Sequence, residues 1–280
     1  LKSLRVALLR ELRIGPLWRL RDAGTGDAPK GEVDEGIGHS GADQTETDTV
    51  RAELPHSHLG AKPPPPVRLE PSPPRSHLES ARTDDAAREA GIRSLDWDAL
   101  EAEIRNCQAC RLFEQRRQAV PGIGDRNASW MFVGEGPGSE EDRRGEPFVG
   151  PAGKLLDAML SALELERGKD VYIANAVKCR PPMNRTPAAD EAETCRPFLE
   201  RQIALVRPQV LVALGRPAAQ TLLGTEVRIN AVRGKVFSHD GIPVVVTFHP
   251  AYLLRNPSAK GKAWEDLCLA RRVAGKAQDN

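Results

Sequence analysis

Cys107 and Cys110 form a C-x-x-C pair, and Cys179 and Cys195 follow far downstream with fifteen residues between them. Four thiolates gathered by a fold imply a metal ion or an iron–sulfur cluster, since the thiolate is the ligand form of cysteine. Disulfides are the weaker reading. The apolar stretch Val6–Leu9 is too short for a secretory signal and stands among arginines, so a cytoplasmic location with reduced thiols is expected. Zinc accepts the same ligands, but structural zinc sites usually draw two close-set pairs, and the second pair here is wide. A [4Fe–4S] cluster is therefore favoured over zinc. Cys268 sits in a helical pattern near the end of the chain and reads as a small, at least half-buried apolar residue.

Four other segments carry residues with chemical potential. The loop Gly134–Asp142, GEGPGSEED, follows the apolar run SWMFV, and Gly134, Gly136 and Gly138 let a backbone turn sharply and approach a ligand closely. It is not a Rossmann fingerprint, because Ser139 stands at the third glycine and charged residues follow. GPAGKL at Gly150–Leu155 likewise fails the P-loop pattern, with Phe148 and Leu155 at positions that need Gly and Ser or Thr. In RGEPFVGPAGK, Phe148 sits in a Gly- and Pro-rich loop that can bury little, which suits an aromatic facing a cleft and stacking on a planar ligand; a core role is the plain alternative. In NAVKCRPP, Asn175 closes the apolar run VYIA. Its amide sets a donor beside an acceptor, as reading the Watson–Crick edge of a pyrimidine demands, although a structural turn cap has the same signature. Lys178, Arg180 and Arg185 beside it suit phosphates or a solvated basic loop. In HPAYLLRN, His249 follows the run PVVVTF and precedes a proline, so a rigid turn would hold an imidazole able to donate to an oxygen gaining negative charge. Leu253, Leu254 and Arg255 would then rim the same cleft as apolar wedges and a cation.

These residues need a scaffold, and the hydropathy pattern predicts one from Leu95 onward. Apolar runs at 129–133, 171–174, 209–214 and 243–248 read as buried strands. They alternate with helical patterns over 97–105, 152–163, 188–206, 217–223 and 260–273. Continuous apolar strands alternating with helices imply a parallel sheet covered on both faces, with ligands beyond the carboxyl ends of the strands. Three parts follow: a short amphipathic segment over 1–22, a Pro-rich disordered linker over 23–94 with the run Pro63–Pro66, and a catalytic domain over 95–275. Leu4–Leu20, anchored by Trp18, reads as a helix packing on the domain or as a tethered docking peptide for a protein partner. The net charge of +1 excludes neither a nucleic-acid nor a neutral partner, and no run of about 18 apolar residues points to a membrane.

From Leu95 on, the chain resembles the family 4 uracil-DNA glycosylases, the iron–sulfur branch found in bacteria and archaea. The resemblance rests on GEGPG, GEPFVGPAG, NAVKCRPP, HPAYLLR and the cysteine spacing, in that order along the chain. It implies an α/β, three-layer α/β/α domain with a four-stranded, mainly parallel sheet. It also implies a [4Fe–4S] cluster held by Cys107, Cys110, Cys179 and Cys195 in a structural role. The implied reaction is monofunctional removal of uracil from single- or double-stranded DNA, with no lyase step; a monomer is the simplest expectation for an enzyme that must scan DNA. Phe148 would stack on the base, Asn175 would pair with its N3–H and O4, His249 would donate to O2, and the Gly134–Gly138 amides would assist. Leu253 or Leu254 would fill the stack. Where the best-known uracil glycosylases carry a water-handling aspartate, this chain has Gly136. Glu141 is the favoured substitute, with Glu135 and Asp142 nearby, and Glu135 is also the candidate for excluding thymine. The alternatives are a metal-stabilised nucleic-acid-binding module and a replication accessory without turnover.

Overall fold

The computed structural model describes residues 75–278, with side chains over 85–275; the amphipathic segment 1–22 and the linker up to residue 74 lie outside the described residues. Helix α1 (Arg75–Ser94) occupies the end of the expected linker, so that boundary moves. Its sequence is too polar to announce a core helix, yet Ile92 is buried and the Arg88 guanidinium lies 5.1 Å over the Phe198 ring. Helix α2 (Trp97–Asn106) follows, capped by Asp96, whose carboxylate accepts the Ala99 N–H at 2.9 Å.

Six strands form one sheet in the order β1-β3-β2-β4-β6-β5. The four central strands are parallel and correspond to the expected apolar runs: β2 (Trp130–Gly134), β3 (Val171–Asn175), β4 (Val210–Leu214) and β6 (Ile242–Thr247). Two short antiparallel edge strands, β1 (Ile123–Gly124) and β5 (Val236–His239), extend the expected four to six. Asp240 and Gly241 join β5 to β6, both at positive φ, the backbone that a tight hairpin demands.

Side-chain alternation sorts the strands into two cores. Trp130, Phe132, Ile173 and Val212 pack against α4 (Pro151–Ala162) and α9 (Lys260–Gln278). Met131, Val133, Ala174 and Leu211 pack against α5 (Ala189–Val206) and α6 (Arg216–Leu223). No helix among the described residues is long and apolar enough to cross a membrane. Two more short helices matter for the site: α3 (Ser139–Arg144), and α8 (Pro250–Arg255) beyond the four-residue α7 (Ile229–Val232). Helix α3 corrects the reading of Gly134–Asp142 as a loop with charged residues and no helix after it: its acidic first turn suits a helix N-terminus.

Candidate active site

The parallel strands end in register, Gly134 opposite Asn175 and Leu214 opposite Thr247, so the segments that follow them converge on one side of the sheet. They enclose a cleft of about 550 Å³ lined by residues that include Glu135, Gly136, Gly138, Glu141, Phe148, Asn175, Arg216, His249 and Arg255. Sequence reasoning singled out all of these except Arg216.

Asn175 is buried, and its Oδ1 is one of few buried side-chain polar atoms with no hydrogen-bond partner among the described residues. An unmet buried acceptor is costly, which marks it as a place for a ligand N–H. A Cβ built on Gly134 would stand 2.3 Å from that oxygen and 2.6 Å from the Phe148 ring, so only glycine leaves both groups room. Gly136 has the same constraint against Val177, 2.8 Å from a built Cβ, which explains why no aspartate can stand there without displacement.

Phe148 adopts a left-handed backbone, φ 54, a conformation that non-glycine residues rarely take. Arg167 holds it there: its guanidinium donates to the Pro147 and Phe148 carbonyls, both at 3.0 Å, and its Nε donates to Asp157 at 2.7 Å. Gly153 permits the approach, since a Cβ there would sit 1.7 Å from the Phe148 carbonyl oxygen. The Phe148 and His249 rings lie 5.6 Å apart between centroids.

His249 is the N-cap of α8: the Ala251 N–H donates to its Nδ1 at 3.1 Å. An acceptor Nδ1 carries no proton, so in the neutral ring the proton sits on Nε2, making that nitrogen a donor. Burial, reinforced by the nearby Arg255 cation and opposed by Glu141, pushes the imidazole pKa down to about 4. The ring is therefore a neutral donor at ordinary pH.

Glu141 spends both carboxylate oxygens on the backbone. Oε1 accepts from Val149 and Gly150 at 2.9 and 3.0 Å, and Oε2 accepts from Gly138 at 3.1 Å, tying the glycine loop to the Phe148 loop. Asp142 is buried and turned elsewhere, accepting the Arg117 N–H at 2.8 Å. Glu135 sits at the cleft wall, where burial pushes its carboxyl pKa up against the opposing pull of the Thr186 hydrogen bond and the Arg216 charge.

Three expectations about neighbouring side chains change. Leu253 is 0% exposed and belongs to the core, whereas Leu254 is 44% exposed; of the two adjacent leucines only the second can serve as a wedge. Lys178 is buried and turned inward: its Nζ donates to the Asn175 carbonyl at 2.7 Å and to Gln202 Oε1 at 2.6 Å. Arg185 is committed to a two-pronged ion pair with Glu191 at 2.6 and 2.7 Å.

Cys107, Cys110, Cys179 and Cys195 line one depression beside Ile104, Phe113 and Phe198. Arg116 donates to Cys179 Sγ at 2.9 Å, the Lys178 N–H donates to Cys195 Sγ at 3.3 Å, and Arg88 Nη2 stands 3.8 Å from Cys107 Sγ. These donors suit anionic sulfur. Neither Arg88 nor Arg116 was legible as part of the site, since each is one arginine among many. No three of the four sulfurs fall within 4.8 Å of one another, among the described residues. A single tetrahedral zinc with bonds of about 2.3 Å would hold its sulfurs only about 3.8 Å apart. The four sulfurs and the donors beside them make a set able to hold a thiolate-bound metal centre.

Residues 121–268 match the Uracil DNA glycosylase superfamily. Among curated proteins, the chain is 42% identical over 189 residues to the Type-4 uracil-DNA glycosylase of Archaeoglobus fulgidus, covering 65% of this chain and 94% of that protein. It is 43% identical over 183 residues to the enzyme of the same name from Pyrobaculum aerophilum, covering 62% and 93%. With that of Thermotoga maritima the identity is 46% over 163 residues, covering 58% and 84%.

Proposed function

The chain belongs to the uracil-DNA glycosylase superfamily, and on that premise we propose that its cleft receives uracil flipped out of DNA, the enzyme hydrolysing the N-glycosidic bond to leave an abasic site for repair. The observation that carries this reading is the buried, unpartnered Oδ1 of Asn175 at the end of β3. That oxygen accepts the N3–H of uracil while the amide nitrogen of the same side chain donates to O4. Cytosine presents the reverse order at these positions and leaves buried groups unpaired, a mismatch that rejects it strongly. Phe148 supplies the stacking face.

Cleavage sends the electron pair of the N1–C1′ bond onto the base, where charge spreads to O2. The Nε2–H of His249 donates to O2, and because the ring starts neutral it stabilises the anion as a hydrogen-bond donor without delivering a proton. Gly136 lines the same cleft and its backbone amide would assist, whereas the Gly138 N–H is already donated to Glu141. Water then adds to C1′ of the oxocarbenium-like sugar and loses its proton. Glu141 serves as a clamp on the two loops, and Glu135 is the cleft carboxylate that would hold this water. No lyase step is expected, because Lys178 is buried against Asn175 and Gln202 and is not available as an amine nucleophile.

The four cysteines would hold a [4Fe–4S] cluster, a reading supported by their gathering in one depression and by the arginine donors beside them. Bound there, it would supply a crosslink between the segments that carry the four cysteines. A binding module without turnover is not favoured, since it would not require Asn175, Phe148 and His249 to converge. Uracil excision from an end-labelled oligonucleotide, read as alkali-labile cleavage and compared with iron content per chain, tests the assignment. Cleavage at uracil but not cytosine, reduced at least about a hundredfold by Asn175→Ala or His249→Ala, is expected. Wild-type activity in both variants would sink the pocket assignment.

A further inference from the structure

The loop that leaves Cys179, Arg180–Arg185 (RPPMNR), forms one wall of the cleft through Pro181, Asn184 and Arg185. Its apex is conformationally expensive. Met183 and Asn184 are consecutive left-handed residues, φ 50 and 55. Asparagine tolerates that region, whereas methionine has no local compensation for it. Met183 is also 94% exposed, the most exposed large apolar side chain among the described residues. An unfavourable backbone that also holds an apolar side chain in water points to function when nothing in the fold requires it.

The exposure does not come from a slack loop. The Asn184 N–H donates to the Pro181 carbonyl at 3.0 Å and the Arg185 N–H to that of Pro182 at 3.1 Å. Arg180 Nε donates to Asn184 Oδ1 at 2.7 Å, and the Arg185–Glu191 pair fastens the loop to the start of α5. Two prolines stiffen the approach. The apex is braced as a fixed prong.

Its position relative to Leu254 completes the argument. The Met183 loop follows β3, and α8 with Leu254 follows β6; β2 and β4 lie between those strands. Strands spaced about 4.8 Å apart put the two strand ends from which these segments spring about 14 Å apart, and the cleft is lined by Pro181 and Asn184 of one segment and by Ala251, Tyr252 and Arg255 of the other. A duplex that gives up one nucleotide to the cleft must bridge both rims, and an unstacked step beside an apolar side chain is the arrangement wedge residues exploit.

We propose that Met183 is a second DNA wedge, entering the double helix on the side of the cleft away from Leu254 as uracil is extruded, so that the enzyme's efficiency on duplex relative to single-stranded substrate depends on it. The proposal rests on the glycosylase reading above. Single-turnover excision by Met183→Gly, Met183→Leu and wild-type protein, each measured on a uracil-containing duplex and on the same strand alone, tests it. Glycine adopts the left-handed backbone freely, so the loop keeps its shape while the wedge is removed. The duplex-to-single-strand rate ratio should fall about tenfold in Met183→Gly and stay within about threefold of wild type in Met183→Leu. Fluorescence of 2-aminopurine placed beside the uracil should show a matching loss of flipping. An unchanged ratio in Met183→Gly overturns the wedge while leaving the glycosylase reading intact. Wild-type protein that frees uracil from neither substrate overturns the glycosylase reading itself.

Discussion

Glu141 offers the sharpest test of how the catalytic machinery is built, because two incompatible roles predict different variants. As a general base it would need a free oxygen facing a water, yet its two oxygens accept three backbone N–H groups at 2.9, 3.0 and 3.1 Å. Hydrogen bonds to a charged acceptor contribute about 1.5 kcal/mol each at the low end suited to a half-buried group, so Glu141→Ala should cost roughly 4 kcal/mol. For a domain of this size that lowers Tm by about 10 °C. Glu141→Gln keeps one acceptor oxygen for the Val149 and Gly150 amides but turns an NH2 toward Gly138, so it should cost about 1–2 kcal/mol. Thermal unfolding and single-turnover excision are to be measured on the same preparations. If Glu141 is a clamp, activity tracks the loss of stability, and the glutamine variant retains most of both. A glutamine variant that melts like wild type but turns over a thousandfold more slowly would refute the clamp and restore Glu141 as the base.

His249 makes a pH prediction. Its folded pKa of about 4 lies below the ordinary 6.5, so below pH 6.5 the unfolded chain binds a proton that the folded chain does not. The associated stability is complete above pH 6.5 and is lost as pH falls toward 4, by about 3 kcal/mol at most. Urea unfolding of wild type and His249→Asn at pH 7.5 and 4.5 isolates this effect from Glu135 and Asp266, whose burial-raised carboxyl pKa values push stability the opposite way. Equal pH sensitivity in the two proteins would show that the imidazole is not held neutral. Arg167→Lys loses the fork on the Pro147 and Phe148 carbonyls and should lower kcat/KM about tenfold, mainly through KM, as Phe148 leaves its left-handed conformation. Wild-type KM in that variant would mean that Phe148 is held without Arg167.

The parts of the fold that sequence reasoning reaches are those that bury apolar side chains on both faces. The four central strands are continuous apolar runs because helices cover the sheet on each side, and glycine or a polar residue ends each run where the chain turns into the cleft. The edge strands escape for the opposite reason. β5 alternates exposed and half-buried residues and carries a weak hydropathy signal, although Asp240-Gly241 ahead of IPVVVT was a readable hairpin turn. Helix α1 hides behind a proline-rich neighbour and a polar composition, so the arginine it brings to Cys107 was invisible. Within the site, residue type was legible and direction was not. Leu253 and Leu254 differ by one step on a helix of six residues, and that step decides core against surface. Lys178 looked like a phosphate contact because a lysine between a valine and a cysteine gives no sign that Gln202, far along the chain, waits to receive it.

That lysine also suggests why an enzyme whose reaction moves no electrons would keep four cysteines. In the proposed reading the segment Asn175–Arg185 carries the base-reading amide at one end and the Met183 prong near the other, and both would have to hold their positions while a duplex is distorted against them. Sheet pairing fixes Asn175, and the Arg185–Glu191 pair fixes the far end. Between them the chain leaves the sheet, tied at first by the Ala176 and Val177 N–H groups, which donate to the Gly134 and Glu135 carbonyls at 2.9 and 3.2 Å. Cys179 lies in the middle of that span, with Lys178 reaching back to the Asn175 carbonyl and its own N–H directed at Cys195. A cluster joining Cys179 to Cys195 on α5 and to Cys107 and Cys110 beyond α2 would lock this midpoint to two helices at once. On the proposed reading a cluster there would act by preorganisation: it would keep Asn175 and the Met183 loop at a fixed separation, so that binding energy would go into extruding the base and little would be lost in ordering the protein.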